Sequence, residues 1–234
     1  METIGTIATA AIDDRVHKTV FPVRLIETRG KVEHAQELLA AKGLQITTNE
    51  PAVTLLENGE EGKDGEKAAV LLDFGVELNG GARLLVHTIE GESPAVVRLC
   101  FGESVAEACS AIGEKNATND HTPRDFRVVV PPYSDITCGE TGFRFLRVQL
   151  ESPATRLRVK AVAADFVYRD LPYLGSFRCS RPRLNQIYDT AAYTCHLNMQ
   201  RYIWDGIKRD RLVWVGDMHP EMLTIRTVFG RQPL

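Results

Sequence analysis

A change of hydrophobic period near residue 170 constrains this chain more than any other feature. From about 68 to 168 the apolar residues recur at every second position or run unbroken over strand length. AVLLDFG (69–75), ARLLVHTIE (82–90), AVVRLCFGE (95–103), FRVVVPP (126–132), GFRFLRVQLE (142–151) and LRVKAVAADFVYR (157–169) all read this way. A period of two places successive side chains on opposite faces of a sheet. Turn-forming stretches such as Leu78-Asn-Gly-Gly81 and Gly91-Glu-Ser-Pro94 separate the segments. Short strands at this spacing predict an antiparallel β-sandwich of the jelly-roll kind. The polar stretch 104–125 reads as a long connection.

After 170 the spacing becomes helical. Asp170-Leu-Pro-Tyr173 is a linker-like turn, and Ser180 is an N-cap candidate with Pro182 in the first turn. Leu184, Ile187, Tyr188, Ala191, Ala192, Cys195 and Met199 then recur at intervals of three and four, predicting an amphipathic helix over 181–199. A second helix is expected over 216–229. Near the other end, Val20–Ile26 suggests a strand. KVEHAQELLAAK (31–42) reads as one short helix stopped by Gly43. ENGEEGKDGEK (57–67), with three glycines and seven charges, reads as a solvated loop. The fold class is therefore mainly β with a C-terminal α part: a sandwich domain over 1–172 and the start of a helical domain over 173–234.

Net charge is −3 and the sequence pI about 6.1. Without a surplus of cations to neutralise phosphates, a nucleic acid or an anionic membrane is an unfavourable partner. The five cysteines, Cys100, Cys109, Cys138, Cys179 and Cys195, form no C-x-x-C pair. They read as free thiols of a reducing compartment. The first fourteen residues lack the basic start and apolar core of a signal peptide, and no run is long enough to span a bilayer. A cytoplasmic location is expected. Asn116-Ala-Thr118 is a glycosylation sequon of consequence only in a secreted eukaryotic protein. No Gly-rich phosphate loop and no metal-ligand spacing stands out, so neither a cofactor nor a metal is expected.

The residues with chemistry gather between Tyr202 and Glu221. Asp205, Asp210 and Asp217, the basic Lys208, Arg209 and Arg211, both tryptophans of the chain (Trp204 and Trp214) and His219 all lie there. Cleaving a glycosidic bond requires such a set. One carboxylic acid must keep its proton near neutrality to hand it to the leaving oxygen, and nearby carboxylates favour that. Further acids and arginines bind ring hydroxyls, and an indole offers a flat apolar platform to the sugar. The plainer reading is a helix corner laced with surface ion pairs, its tryptophans in the core. His219 could line a site or bond the backbone at a helix start. His87 reads as a strand residue, Glu103 and Glu107 as solvated loop charges, and Tyr188, Tyr193 and Met199 as helix core. Lys208, Arg209 and Arg211 are too few, and too interleaved with acids, for a nucleic-acid patch.

The order Asp205-(x)3-Arg209-Asp210-(x)3-Trp214-(x)2-Asp217 resembles the acidic motif of bacterial α-L-rhamnosidases, glycoside hydrolase family 78 of the six-hairpin glycosidases. Gly175–Asp189 is similar to that family's lead-in to its first barrel helix. Leu72-Asp-Phe-Gly75 and Thr141–Val148 are similar to strands of its N-terminal sandwich. The resemblance spans roughly 70–230. It implies an inverting enzyme releasing terminal L-rhamnose from glycosides, built as a β-sandwich followed by an (α/α)6 barrel. It places Asp210 at the general acid, which in the family is more often Glu. Asp205, Arg209 and Asp217 fall on sugar-contacting positions and Trp214 on the aromatic one, while His219 is a further candidate. The family's general base lies far downstream, in a part of the barrel absent from these residues. A truncated enzyme, inactive alone, is therefore expected. Its incomplete helical faces would allow self-association or a partner chain, and its substrate would be a rhamnose-containing glycoside. The alternative is a non-catalytic carbohydrate-binding or structural β-sandwich with a helical appendage. A third reading is an interaction subunit whose helices complete the barrel of a partner.

Overall fold

A computed structural model describes residues 13–60, 65–114 and 123–231. The sequon at Asn116, most of the N-terminal stretch and part of the 57–67 loop lie outside the described residues. Nine strands and three α-helices occur among those that are described. The strands are β1 (Arg15–Val20), β2 (Arg24–Arg29), β3 (Lys31–Glu33), β4 (Thr54–Asn58), β5 (Ala69–Glu90), β6 (Ala95–Gly102), β7 (Asp125–Val130), β8 (Ser134–Leu150) and β9 (Thr155–Arg169). The helices are α1 (Val105–Cys109), α2 (Pro182–Asn198) and α3 (Val215–Val228). The strands are ordered β3-β4-β9-β5-β8-β6-β7, with β1 beside β9 and β2 beside β5. Each of the pairings β2–β5, β3–β4, β4–β9, β5–β8, β5–β9, β6–β7 and β6–β8 is antiparallel. The expected mainly β chain, an antiparallel sandwich followed by C-terminal helices, is the fold observed.

Two compact units divide the chain. One is the sandwich, His17–Val167 together with Asp205–Leu212. The other is helical and comprises the described parts of Met1–Val16, Tyr168–Trp204 and Val213–Leu234.

In the sandwich, the long strand β5 does the work of two. Its first residues pair with β2, its later ones with β9, and β8 runs beside most of it. Leu78-Asn-Gly-Gly81 is therefore no turn between strands. The register with β8 slips between Asp73 and Leu78 and again between Gly80 and Ala82, so the strand bulges instead of ending. Gly80 (φ 154°) lies so close to the Asp165 carbonyl that no side chain would fit. The inward set of each strand forms one core containing Leu72, Leu84, Leu99, Leu146, Val148 and Leu157. Phe143 sits edge-on to Phe74 at 5.5 Å and to Phe101 at 4.9 Å. Burying each such side chain stabilises the fold by roughly 1.5–3 kcal/mol before entropy is counted. Gly91–Pro94 does separate β5 from β6.

The helix expected over 31–42 is not a single helix. Lys31–Glu33 pairs with β4, His34 takes a left-handed backbone (φ 58°), and only Ala35–Leu39 follows as a 3₁₀ turn. The apolar spacing there served the sandwich instead: Val32 packs as a strand residue and Leu38 plugs the core.

In the helical unit, α2 and α3 meet through Ala192, Cys195, Met199, Ile225, Val228 and Phe229. His196 donates from Nε2 to the Arg169 carbonyl (2.6 Å) and lies 3.0 Å from the Tyr173 hydroxyl through Nδ1. Burial holds its pKa below the ordinary value. The N-cap of α2 is Arg181, not Ser180, and no side chain caps it. Asn185 instead reaches back from the first turn to bond both the amide and the carbonyl of Cys179. The amphipathic stripe of α2 is only partly covered: Leu184 is 44% and Ile187 52% exposed, and Tyr188 and Tyr193 are half-buried. No helix among the described residues is long and apolar enough to cross a membrane.

Candidate active site

The first half of the motif is a closed loop on the sandwich. The Asp205 amide donates to the Leu212 carbonyl (2.9 Å), and the Leu212 amide returns a bond to Asp205 Oδ1 (2.8 Å). One oxygen of the candidate sugar-binding Asp205 thus shuts the base of the loop. Between these residues the chain turns Ile207 and Lys208 inward and leaves Arg209 and Asp210 outside.

Each inward residue is tied to β8 or α1. The Gly142 amide donates to the Ile207 carbonyl (3.1 Å), and Lys208 Nζ donates to the Gly142 carbonyl (3.0 Å). Arg211 donates to the Glu140 carbonyl (2.6 Å) and its Nη2 meets Glu140 Oε1 at 3.3 Å. Gly142 is needed for this approach: a Cβ there would come 2.8 Å from Ile207 Cγ1. At the tip, Asp210 (φ 60°) and Arg211 (φ 55°) are consecutive left-handed residues. Such backbone costs on the order of 1–3 kcal/mol per residue and persists only where the surroundings dictate it. Arg209 Nε lies 3.5 Å from Asp210 Oδ2, so the two groups that face outward form a loose ion pair.

Beneath the loop lies a set of carboxyls that the sequence did not disclose. Glu103 is exposed, as expected of a loop charge, but Glu107 is not a solvated one. Glu107 is 0% exposed and its Oε1 meets Lys208 Nζ, itself 3% exposed, at 3.3 Å. The Glu107 amide donates to Ser104 Oγ (3.2 Å), and Glu107 Oε2 accepts from the Glu103 amide (2.8 Å). This is a variant of a capping box at the start of α1, its return bond falling on Glu103, the residue before the N-cap Ser104. The fully buried Arg124 closes the other end of that helix by donating to the carbonyls of Glu107, Ser110 and Ala111. Glu77, on the β5 bulge, has its carboxyl pushed up to about 8, first by burial and then by repulsion from Glu103. Glu107 adds to that push, whereas Lys208 and Arg144 oppose it. Glu103 is likewise raised, mainly by burial. Four residues before Glu77, Asp73 is held down at about 2, chiefly by Arg144 (2.8 Å) and also by Arg24 and the Gly75 amide. Two acids on one strand thus sit in opposite charge states at neutral pH. The one signal that pointed to Glu107 was the Ser104-Val-Ala-Glu107 spacing of a capping box.

The second half of the motif belongs to the helical unit. Trp214 is the N-cap residue of α3 and is 51% exposed. Asp217 stands in the first turn, where a negative charge suits the helix dipole, and His219 is exposed one turn on. Trp204 is half-buried and its amide donates to the Asn198 carbonyl (3.0 Å). Asn198 Nδ2 in turn donates to Glu221 Oε1 (3.0 Å), linking α2 to α3. Asp205, Arg209 and Asp210 therefore come together in one loop, and Trp214, Asp217 and His219 at the head of one helix.

The fold, an antiparallel sandwich followed by C-terminal helices, is similar to that of solved α-L-rhamnosidases. Residues 172–234 match the family model of the bacterial alpha-L-rhamnosidase 6 hairpin glycosidase domain. Among solved structures, the fold is similar to a rhamnosidase from Klebsiella oxytoca with rhamnose bound (TM-score 0.68, 21% identity, 94% of this chain and 42% of that one). It is also similar to the GH78 family rhamnosidase of Bacillus sp. GL1 (TM-score 0.63, 20% identity, 84% and 19%). A third is the α-L-rhamnosidase of Dictyoglumus thermophilum (TM-score 0.57, 17% identity, 91% and 20%). At such identities the likeness is one of fold, and the chain spans less than half the length of each of these proteins. Among curated proteins none matches it.

Proposed function

We propose that these residues are the N-terminal part of an inverting glycoside hydrolase of the α-L-rhamnosidase type, with a sandwich over 1–172 and the opening of an (α/α)6 catalytic domain over 173–234. The observation that carries this reading is the spacing Asp205-(x)3-Arg209-Asp210-(x)3-Trp214-(x)2-Asp217, all of it within a segment that matches the six-hairpin glycosidase model. Asp210 protonates the departing glycosidic oxygen. Arg209, Asp217, His219 and the second oxygen of Asp205 hold ring hydroxyls, and Trp214 supports the apolar side of the sugar. Inversion needs a second carboxylate that activates water on the opposite face of the ring, about 6.5–9.5 Å from the first. That base is read as belonging to a later part of the barrel, whose further helices cover Leu184, Ile187 and Leu223. A terminal rhamnoside is the substrate, and five free thiols suit a cytoplasmic location.

An aryl α-L-rhamnoside assay tests the reading. Residues 1–234 alone are expected to show no turnover, and a chain continued through the full barrel to show it. With the barrel complete, Asp210→Asn should abolish turnover of substrates with poor leaving groups while leaving the fold intact. Activity retained by that variant would remove Asp210 from its role.

A further inference from the structure

The loop that carries the proposed acid is anchored from below by an ion pair that no part of the motif includes. Lys208 is 3% exposed and Glu107 0%. Lys208 Nζ donates to the Gly142 carbonyl of β8 and forms an ion pair with Glu107 Oε1 of α1 at 3.3 Å. Glu107 is itself immobilised, because its other oxygen caps α1 at Glu103 and its carbonyl is held by Arg124. A buried ion pair of this kind adds little stability over an apolar pair of equal volume. An apolar filler at 208 would close the space equally well, but it would allow the loop to slide along β8. A hydrogen bond to β8 combined with a buried ion pair to α1 does not. The residues that need holding follow at once: Asp210 and Arg211 keep their left-handed backbone only while the loop stays seated.

We propose that Lys208 and Glu107 are positioning residues for the proposed proton donor, seating the 205–212 loop on the sandwich so that Asp210 is presented outward in a fixed direction. The sandwich is on this view a working component of the acid's support. The role as stated rests on the hydrolase reading above, although the hold of the pair on the loop can be measured without it.

The test uses Lys208→Met, Glu107→Gln and the double variant Lys208→Met/Glu107→Met. The double variant is included because a single change strands a buried charge and can unfold the protein. Amide exchange is followed in the chain itself, at Asp205, Leu212 and Gly142 for the loop and at Leu99 and Val148 for the sheet. The double variant should melt near the wild-type temperature and keep its sheet protection while the loop amides exchange about tenfold faster or more. In the form that turns over rhamnosides, it should lose at least about tenfold in kcat on an alkyl rhamnoside, with KM little changed. The loss should be much smaller on a nitrophenyl rhamnoside, whose leaving group needs no proton. Loop amides that stay protected in the double variant would overturn the proposal, as would equal losses on both substrates. A wild-type chain continued through the full barrel but without turnover would sink the hydrolase reading, and the exchange data would still decide the hold of the pair on the loop.

Discussion

Glu77→Gln should make the sandwich less sensitive to pH than the wild type between pH 5 and 8. In the folded protein this carboxyl keeps its proton up to about 8, whereas an unfolded chain releases it near 4.5. Below 4.5 both states are protonated and Glu77 contributes nothing to the pH dependence. Between 4.5 and 8 only the unfolded state gives up the proton, so each rise of one pH unit favours unfolding by about 1.4 kcal/mol. Across the whole window the loss amounts to roughly 3–5 kcal/mol, and above 8 it levels off. Gln cannot ionise, so this slope disappears, whereas those of Glu103 and Asp73 remain in both proteins and cancel in the comparison. Urea denaturation at pH 5, 6, 7 and 8 measures the difference. Both tryptophans belong to the helical unit. The sheet is therefore followed by circular dichroism and the helices by indole fluorescence, which keeps their transitions apart. The variant should gain on the wild type steadily from pH 5 to 8. Parallel stability curves for the two proteins would show that Glu77 is ionised in the folded state at neutral pH, and the picture of a crowded, desolvated carboxyl set would be wrong.

Two further changes probe the same region. Gly142→Ala places a methyl 2.8 Å from Ile207 Cγ1 and 3.2 Å from Lys208 Cβ. It should cost about 1–3 kcal/mol of sandwich stability and raise amide exchange across 205–212, both read from one exchange experiment. Arg124→Leu removes three bonds to carbonyls in and just after α1 from a fully buried position, and a loss of about 3 kcal/mol or more is expected in thermal unfolding.

The sandwich and the two C-terminal helices were readable because their hydrophobic periods are long and uninterrupted. β5, β6, β8 and β9 all fall where a period of two announced strands, and α2 and α3 begin and end within a residue or two of expectation. What escaped was decided by partners distant in sequence. Leu78–Gly81 has turn composition, yet β8 and β9 pair on either side of it and carry the strand through. Val32 and Leu38 fit a helical spacing, but Val32 pairs across to Leu56 while Leu38 enters the core from a 3₁₀ turn. The outward residues of the motif, Arg209 and Asp210, were singled out by their resemblance to a family motif. Its inward residue, Lys208, could not be told from its basic neighbours, because what separates it from Arg209 is Glu107, a hundred positions earlier in the chain. Glu107 looked solvated for the same reason: nothing local reports that a loop will close over it.

The seating of 205–212 on the sheet bears on where this protein can be cut. A sandwich excised at residue 172 would retain Glu77, Glu103 and Glu107 and lose the lysine that lies among them. Such a fragment would be expected to swell or shed its α1 turn as the pH rises, even though every strand were present. Anyone transplanting the sandwich would need to carry these eight residues across with it, as a short graft from the far side of the linker.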